Sequence, residues 1–213
     1  MTVVFLHAFP LDERMWEGQR DIARNAVFPR LYGRGPTMDA WAQSVAHEVD
    51  GELVLVGASM GGYCALALAR REPERVRGAL LLGARPDADS DERRAGRAKT
   101  IELIQEDGPD ALWRDMVPKL FSDASNADEN LLFRDADGLV NAVEAIRDRA
   151  DSTDVARALG NRVRFVIGEH DPFVSPDDVR DFDPRELPGA GHLANLERPR
   201  EFNALLKEFL ADV

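Results

Sequence analysis

Leu53-Val54-Leu55-Val56-Gly57-Ala58-Ser59-Met60-Gly61-Gly62 is the stretch on which the fold turns. Its first four residues are apolar without alternation, as expected of a parallel strand covered on both faces. Gly57, Gly61 and Gly62 leave room for a sharp turn. The residues from Ser59 to Glu72 then read as a helix that stops at Pro73. In that setting Gly57-Ala58-Ser59-Met60-Gly61 is a G-x-S-x-G pattern, which lifts a serine onto a tight strand-to-helix elbow. The plain alternative is a glycine-rich turn whose serine merely caps the helix.

On the N-terminal side, Val3-Val4-Phe5-Leu6 reads as a short buried strand ending in the turn His7-Ala8-Phe9-Pro10. A helix is expected from Asp12 to Asn25, then a weak strand at Ala26-Val27-Phe28 and a loop through Gly33, Gly35 and Pro36. Thr37 is placed to cap a helix carrying Trp41, Val45 and Val49 at four-residue spacing. On the C-terminal side, Ala79 to Leu82 and Val163 to Ile167 are further strands. The last helix has Pro199 near its start and Phe202, Leu205, Leu206, Phe209 and Leu210 on one face. Strands alternating with helices argue for an α/β fold with a mainly parallel sheet, because parallel neighbours need crossovers.

The stretch from Pro86 to Gly160 breaks this rhythm. Its apolar residues, such as Leu139, Val140, Val143 and Ile146, fall at helical spacing. It holds 18 acidic and 10 basic residues, so −8 of the chain's net −12 lies there. The expectation is a helical insertion over the sheet, whose charge should repel polyanionic substrates. Arg34 and Arg85, near strand ends, could reverse that locally.

A length of 213 residues suits one domain with such an insertion. The acidic balance disfavours nucleic acid and anionic lipid as partners. No apolar run approaches the roughly 18 residues of a membrane helix, and Met1 to Phe9 lacks the basic start and cleavage site of a signal peptide. The single cysteine, Cys64, fits a packed helix position and a reducing compartment, so a cytoplasmic location is expected. No His, Cys and Asp spacing suggests a metal site, Gly33-Arg34-Gly35 is no dinucleotide fingerprint, and no cofactor is implied. Oligomeric state is not legible.

A serine hydroxyl needs a base and a group to orient that base. Of the four histidines, His192 lies in Gly189-Ala190-Gly191-His192, a loop after the last strand. His47 reads as a surface helix residue, His170 as a loop neighbour, and His7 ends the first strand. The orienting carboxylate belongs at the C-terminal end of a strand, where open α/β sheets build their sites. Asp171, in Gly168-Glu169-His170-Asp171-Pro172, is the first choice, with Glu169 and Asp87 as rivals.

Together these residues resemble the α/β-hydrolase superfamily, and within it the small lidded esterase-like members. The His7 to Pro10 turn, the Ser59 elbow, the Gly168 to Asp171 strand end and the Gly191-His192 loop occur in family order over nearly the whole chain. The resemblance implies a sheet of about six strands, with a core of residues 1–85 and 153–213 and a helical lid at 86–152. It implies Ser59 as nucleophile, Asp171 as acid and His192 as base, with the backbone N–H groups of Phe9 and Met60 as the oxyanion hole. His7, Trp113 and Phe173 are the candidates for the substrate pocket. One departure is Ala8, which stands where the family turn usually has glycine. The activity implied is hydrolysis of a small carboxylic ester through an acyl-enzyme. A carbon–carbon bond hydrolase or a thioesterase shares the triad, and a slow-turnover ligand receptor shares the fold.

Overall fold

The computed structural model describes residues 1–213. Its centre is β3 (Leu53–Ala58), in which every residue is buried. Leu53 and Leu55 enter one hydrophobic cluster, whereas Val54 and Val56 enter another on the opposite face. A strand alternates its side chains between faces, so an unbroken apolar run means that both faces are covered.

Around β3 lie β1 (Thr2–Leu6), β2 (Ala26–Val27), β4 (Val76–Leu82), β5 (Val163–Gly168) and β6 (Arg185–Leu187). They form one six-stranded sheet in the order β2-β1-β3-β4-β5-β6, and every neighbouring pair is parallel. The chain moves outward from β1 to β2, then returns to pair β3 with the other edge of β1. Crossovers thus leave β1 in opposite directions, which opens a crevice at the C-terminal ends of β1 and β3. Leu6 is in register with Gly57, so the turn after β1 and the Ser59 elbow meet there.

One face is covered by α1 (Met38–Glu48), α2 (Met60–Arg71) and α5 (Thr153–Leu159). The Thr37 side chain caps α1 by accepting from the Ala40 N–H. The other face carries α6 (Ala194–Glu197), α7 (Pro199–Asp212) and the segment Glu13–Ile22. That segment is a 3-10 helix rather than the expected ordinary helix. Over ten residues the burial of Met15, Trp16 and Gln19 suits windings of 3.0 and 3.6 residues per turn equally, so periodicity does not separate them.

Between β4 and β5 run α3 (Asp91–Leu120) and α4 (Ala136–Arg147). Gly108, at φ 79°, breaks α3 in two, and Pro109 starts the second half. This stretch is tied down at several points. Leu132 bridges Leu11, the Phe133 N–H donates to the Pro10 carbonyl, and the Phe133 ring stacks on Tyr32 at 3.9 Å. No helix is long and apolar enough to cross a membrane.

Candidate active site

The elbow is built from its glycines. A Cβ on Gly61 would overlap the Leu6 carbonyl, and one on Gly57 would come within 2.5 Å of the Gly61 carbonyl oxygen. Only hydrogen at these positions lets the turn close against β1. Ser59 sits at φ 48° and ψ −112°, a backbone conformation costly for any residue with a Cβ. Ser59 is held there by its own N–H donating to the Leu82 carbonyl, and by the Gly62 and Tyr63 N–H groups donating to its carbonyl.

Asp171 and His192 come together across the ends of β5 and β6. The His192 Nδ1 lies 2.8 Å from Asp171 Oδ2, with the Asp171 side chain fully buried. The other carboxylate oxygen of Asp171 accepts the Phe173 N–H at 2.8 Å and the Val174 N–H at 3.2 Å, which fixes its plane. The Phe173 ring packs edge-on to the imidazole at 4.8 Å. Neither rival carboxylate reaches His192. Glu169 accepts from the Gly189 N–H. Asp87 is bound by Arg85 and Arg93. Burial pushes the Asp87 carboxyl up, but the hydrogen bonds from the two arginines outweigh it and hold its pKa below the ordinary value.

Ser59 and His192 line one small cavity of about 30 Å³, together with Phe9 and Phe173. Met116, Leu120 and Ile146 cover it from α3 and α4. An outer cleft of about 370 Å³ shares Phe9, Tyr63, Arg97, Met116 and Phe173 with it and is lined by Lys119 as well. The Phe9 N–H has no hydrogen-bond partner in the protein. Met60 starts α2, and a first-turn N–H has no partner within its helix. Ala8 keeps an ordinary negative φ, so the turn accommodates alanine without backbone strain there.

Two expected pocket residues are elsewhere. Trp113 is packed edge-on to Phe121 in the hydrophobic cluster, not against the cavity. Its position in a helix cannot by itself say which way an indole faces. His7 is fully buried behind the turn, where its Nε2 accepts the Leu31 N–H and its Nδ1 lies 3.2 Å from the Ala8 carbonyl oxygen. Burial pushes the His7 imidazole down to about 4, against the hydrogen bond to Ala8. The unfolded chain therefore takes up this proton near pH 6.5 and the folded one does not. His7 should contribute stability that is complete above about pH 6.5 and falls by on the order of 3 kcal/mol as pH drops toward 4. Denaturant unfolding at several pH values checks this. A His7→Gln variant with the same slope between pH 6.5 and 4 would refute it.

Sequence reasoning also missed two features. Glu197, at the end of α6, is buried and accepts the Gly191 N–H at 2.6 Å beside His192. Its second oxygen accepts the Ser122 hydroxyl and the Asp123 N–H, so it ties the histidine loop to the end of α3. The other is Asp89, whose fully buried carboxylate gathers Arg149 at 2.6 Å, Arg97 at 3.0 Å and Arg93 at 3.4 Å. The acidic stretch thus turns arginines inward, while Glu102, Glu106, Asp107 and Asp110 stand exposed. This corrects the expectation that its charge faces the substrate.

A profile of the Alpha/beta hydrolase family matches residues 3–205. The chain belongs to the α/β hydrolase family. Among curated relatives, a pimeloyl-[acyl-carrier protein] methyl ester esterase of Aromatoleum aromaticum is 33% identical over 93 residues, 39% of this chain and 37% of that one. The dihydrolipoyllysine-residue acetyltransferase component of the acetoin cleaving system of Cupriavidus necator is 27% identical over 98% of this chain and 63% of its own. The chain therefore spans less than two thirds of the length of these relatives. Among solved structures, a thermophilic esterase from Thermogutta terrifontis, malate bound, superposes with a TM-score of 0.88 at 28% identity, covering 100% of this chain and 90% of that one. The enol-lactonase from Burkholderia xenovorans shares the fold at a TM-score of 0.80 and 23% identity, over 98% of this chain and 90% of its own.

Proposed function

We propose that this α/β hydrolase cleaves a small carboxylic ester through an acyl-enzyme, with Ser59 as nucleophile, His192 as base and Asp171 as the orienting acid. The observation that carries this reading is the shared cavity. A serine on a costly backbone conformation and a histidine already hydrogen-bonded to a buried carboxylate face the same small space.

His192 Nδ1–H donates to Asp171, which leaves Nε2 free to take the proton from the Ser59 hydroxyl. The serine oxygen attacks the ester carbonyl, and the resulting oxyanion receives hydrogen bonds from the Phe9 and Met60 N–H groups. Donors with no partner in the protein break no internal hydrogen bond when they turn to that oxygen. Collapse breaks the bond to the alcohol oxygen, which leaves with the proton from His192. Water, deprotonated by His192, then attacks the acyl-serine, and the carboxylate product departs as Ser59 regains its proton. Side chains, two backbone N–H groups and water suffice for every step.

In this reading residues 86–152 are the lid over a core of residues 1–85 and 153–213. The Ser152 N–H donates to the Pro86 carbonyl and draws the ends of the insertion together, while α3 and α4 exclude water above Ser59. A fluorophosphonate should label one residue, Ser59, as read by intact mass and peptide mapping. An adduct on any other residue, or none on the folded protein, would overturn the assignment.

A further inference from the structure

The chain carries −12 overall, which disfavours anionic small molecules on average. Beside the candidate active site, however, arginines gather. Arg85, Arg93, Arg97 and Arg149 surround the carboxylates Asp87, Asp89 and Asp178, which leaves one positive charge in excess. Three of these arginines have a terminal guanidinium nitrogen engaged. Arg85 reaches Asp178, Arg93 reaches Asp87 and the Ala88 carbonyl, and Arg149 reaches Asp89 and two backbone carbonyls.

Arg97 differs. Its Nε donates to Asp89, which fixes the plane of the guanidinium, and its two terminal nitrogens have no hydrogen-bond partner in the protein. It is also the one arginine or lysine that lines the cavity of Ser59 and His192, and it continues into the outer cleft. Around it the cavity wall is largely apolar, with Phe9, Met116, Leu120 and Phe173. A guanidinium edge in such a wall matches a carboxylate through paired N–H donors, and the low local dielectric strengthens the match.

We infer that Arg97 receives a carboxylate carried by the substrate, so that the preferred esters are half-esters of short dicarboxylic acids. The inference rests on the proposed ester hydrolysis for its kinetic consequence, but not for binding. The ester group lies at Ser59, where the small cavity meets the outer cleft, and the cleft of about 370 Å³ holds the chain that leads to the carboxylate. Asp89 is a positioning residue here, because it fixes the guanidinium plane without touching the ligand.

The test compares monomethyl and dimethyl esters of the four- to seven-carbon diacids. The wild type should give the higher kcat/KM with a half-ester, and Arg97→Met should lower the ratio of half-ester to diester by about 10- to 100-fold. Arg97→Lys, which keeps the charge and loses the fork, should fall between. A wild type that favours the diester at every length overturns the inference, and so does an Arg97→Met variant that lowers both esters in proportion. Calorimetric titration of Ser59→Ala with the same half-esters reads binding without turnover. Should the wild type hydrolyse no ester, binding that disappears in Ser59→Ala/Arg97→Met would uphold the carboxylate site while the hydrolase reading fell. Absence of binding and of turnover would overturn both.

Discussion

Replacing Ser59 by alanine is expected to reduce ester hydrolysis by about 10⁶-fold, the scale on which removal of the nucleophile from such a triad acts. A residual rate above that of water would remain, supplied by the Phe9 and Met60 N–H groups and by binding. Alanine retains the Cβ that makes φ 48°, ψ −112° costly, so it should leave stability nearly unchanged. Ser59→Gly sharpens the contrast. Glycine tolerates the conformation, so that variant should be as inactive yet more stable by about 1 kcal/mol. Steady-state rates with p-nitrophenyl acetate, together with denaturant midpoints, decide the matter. An active Ser59→Ala enzyme, or a Ser59→Gly variant that unfolds more readily than the wild type, would show that the serine serves the turn rather than the chemistry.

The features legible in the sequence are those written locally. An apolar run of four residues followed by small residues around a serine can be satisfied only by a strand, a tight turn and a helix, and β3, Ser59 and α2 are these three elements. Asp171 stands out in the sequence because it follows a strand end, and the hydrogen bond to His192 spans 21 residues that the β5 to β6 connection brings back to the same edge of the sheet. Features set by tertiary packing were not legible. The helical period over 86–160 predicts helices but not which side of each meets the sheet, so it leaves Trp113 open between packing and the pocket, and the structure packs it against Phe121. The sequence puts His7 at the end of the first strand, yet the Leu31 N–H that claims its ring lies on a loop 24 residues away. A sum of charges says nothing of direction. The exposed acids of residues 86–160 and the arginines gathered on Asp89 enter one sum while facing opposite ways.

Asp171→Asn should lower kcat by about 10⁴-fold through the tautomer of His192. In the native pair, a carboxylate that only accepts obliges His192 Nδ1 to carry the hydrogen, so Nε2 is the nitrogen left with the lone pair. An asparagine can keep its oxygen on the Phe173 and Val174 N–H groups, which hold Asp171 Oδ1 now, and this directs its amide hydrogens at Nδ1. The imidazole must then accept there and be protonated at Nε2, where it no longer serves as a base. The substitution is nearly isosteric, so the loss should appear in kcat and not in the unfolding midpoint. A near-normal rate would pass the role to another acid, but Glu169 is turned to the Gly189 N–H and Asp87 to two arginines. The stricter check is non-additivity. If Asp171 acts solely by preparing His192 to deprotonate Ser59, then adding Asp171→Asn to Ser59→Ala should cost nothing further, because the base has lost the proton it was set to take. A double variant slower than Ser59→Ala by anything near 10⁴-fold would mean that Asp171 acts on the substrate by a separate route, and the triad would have to be redrawn.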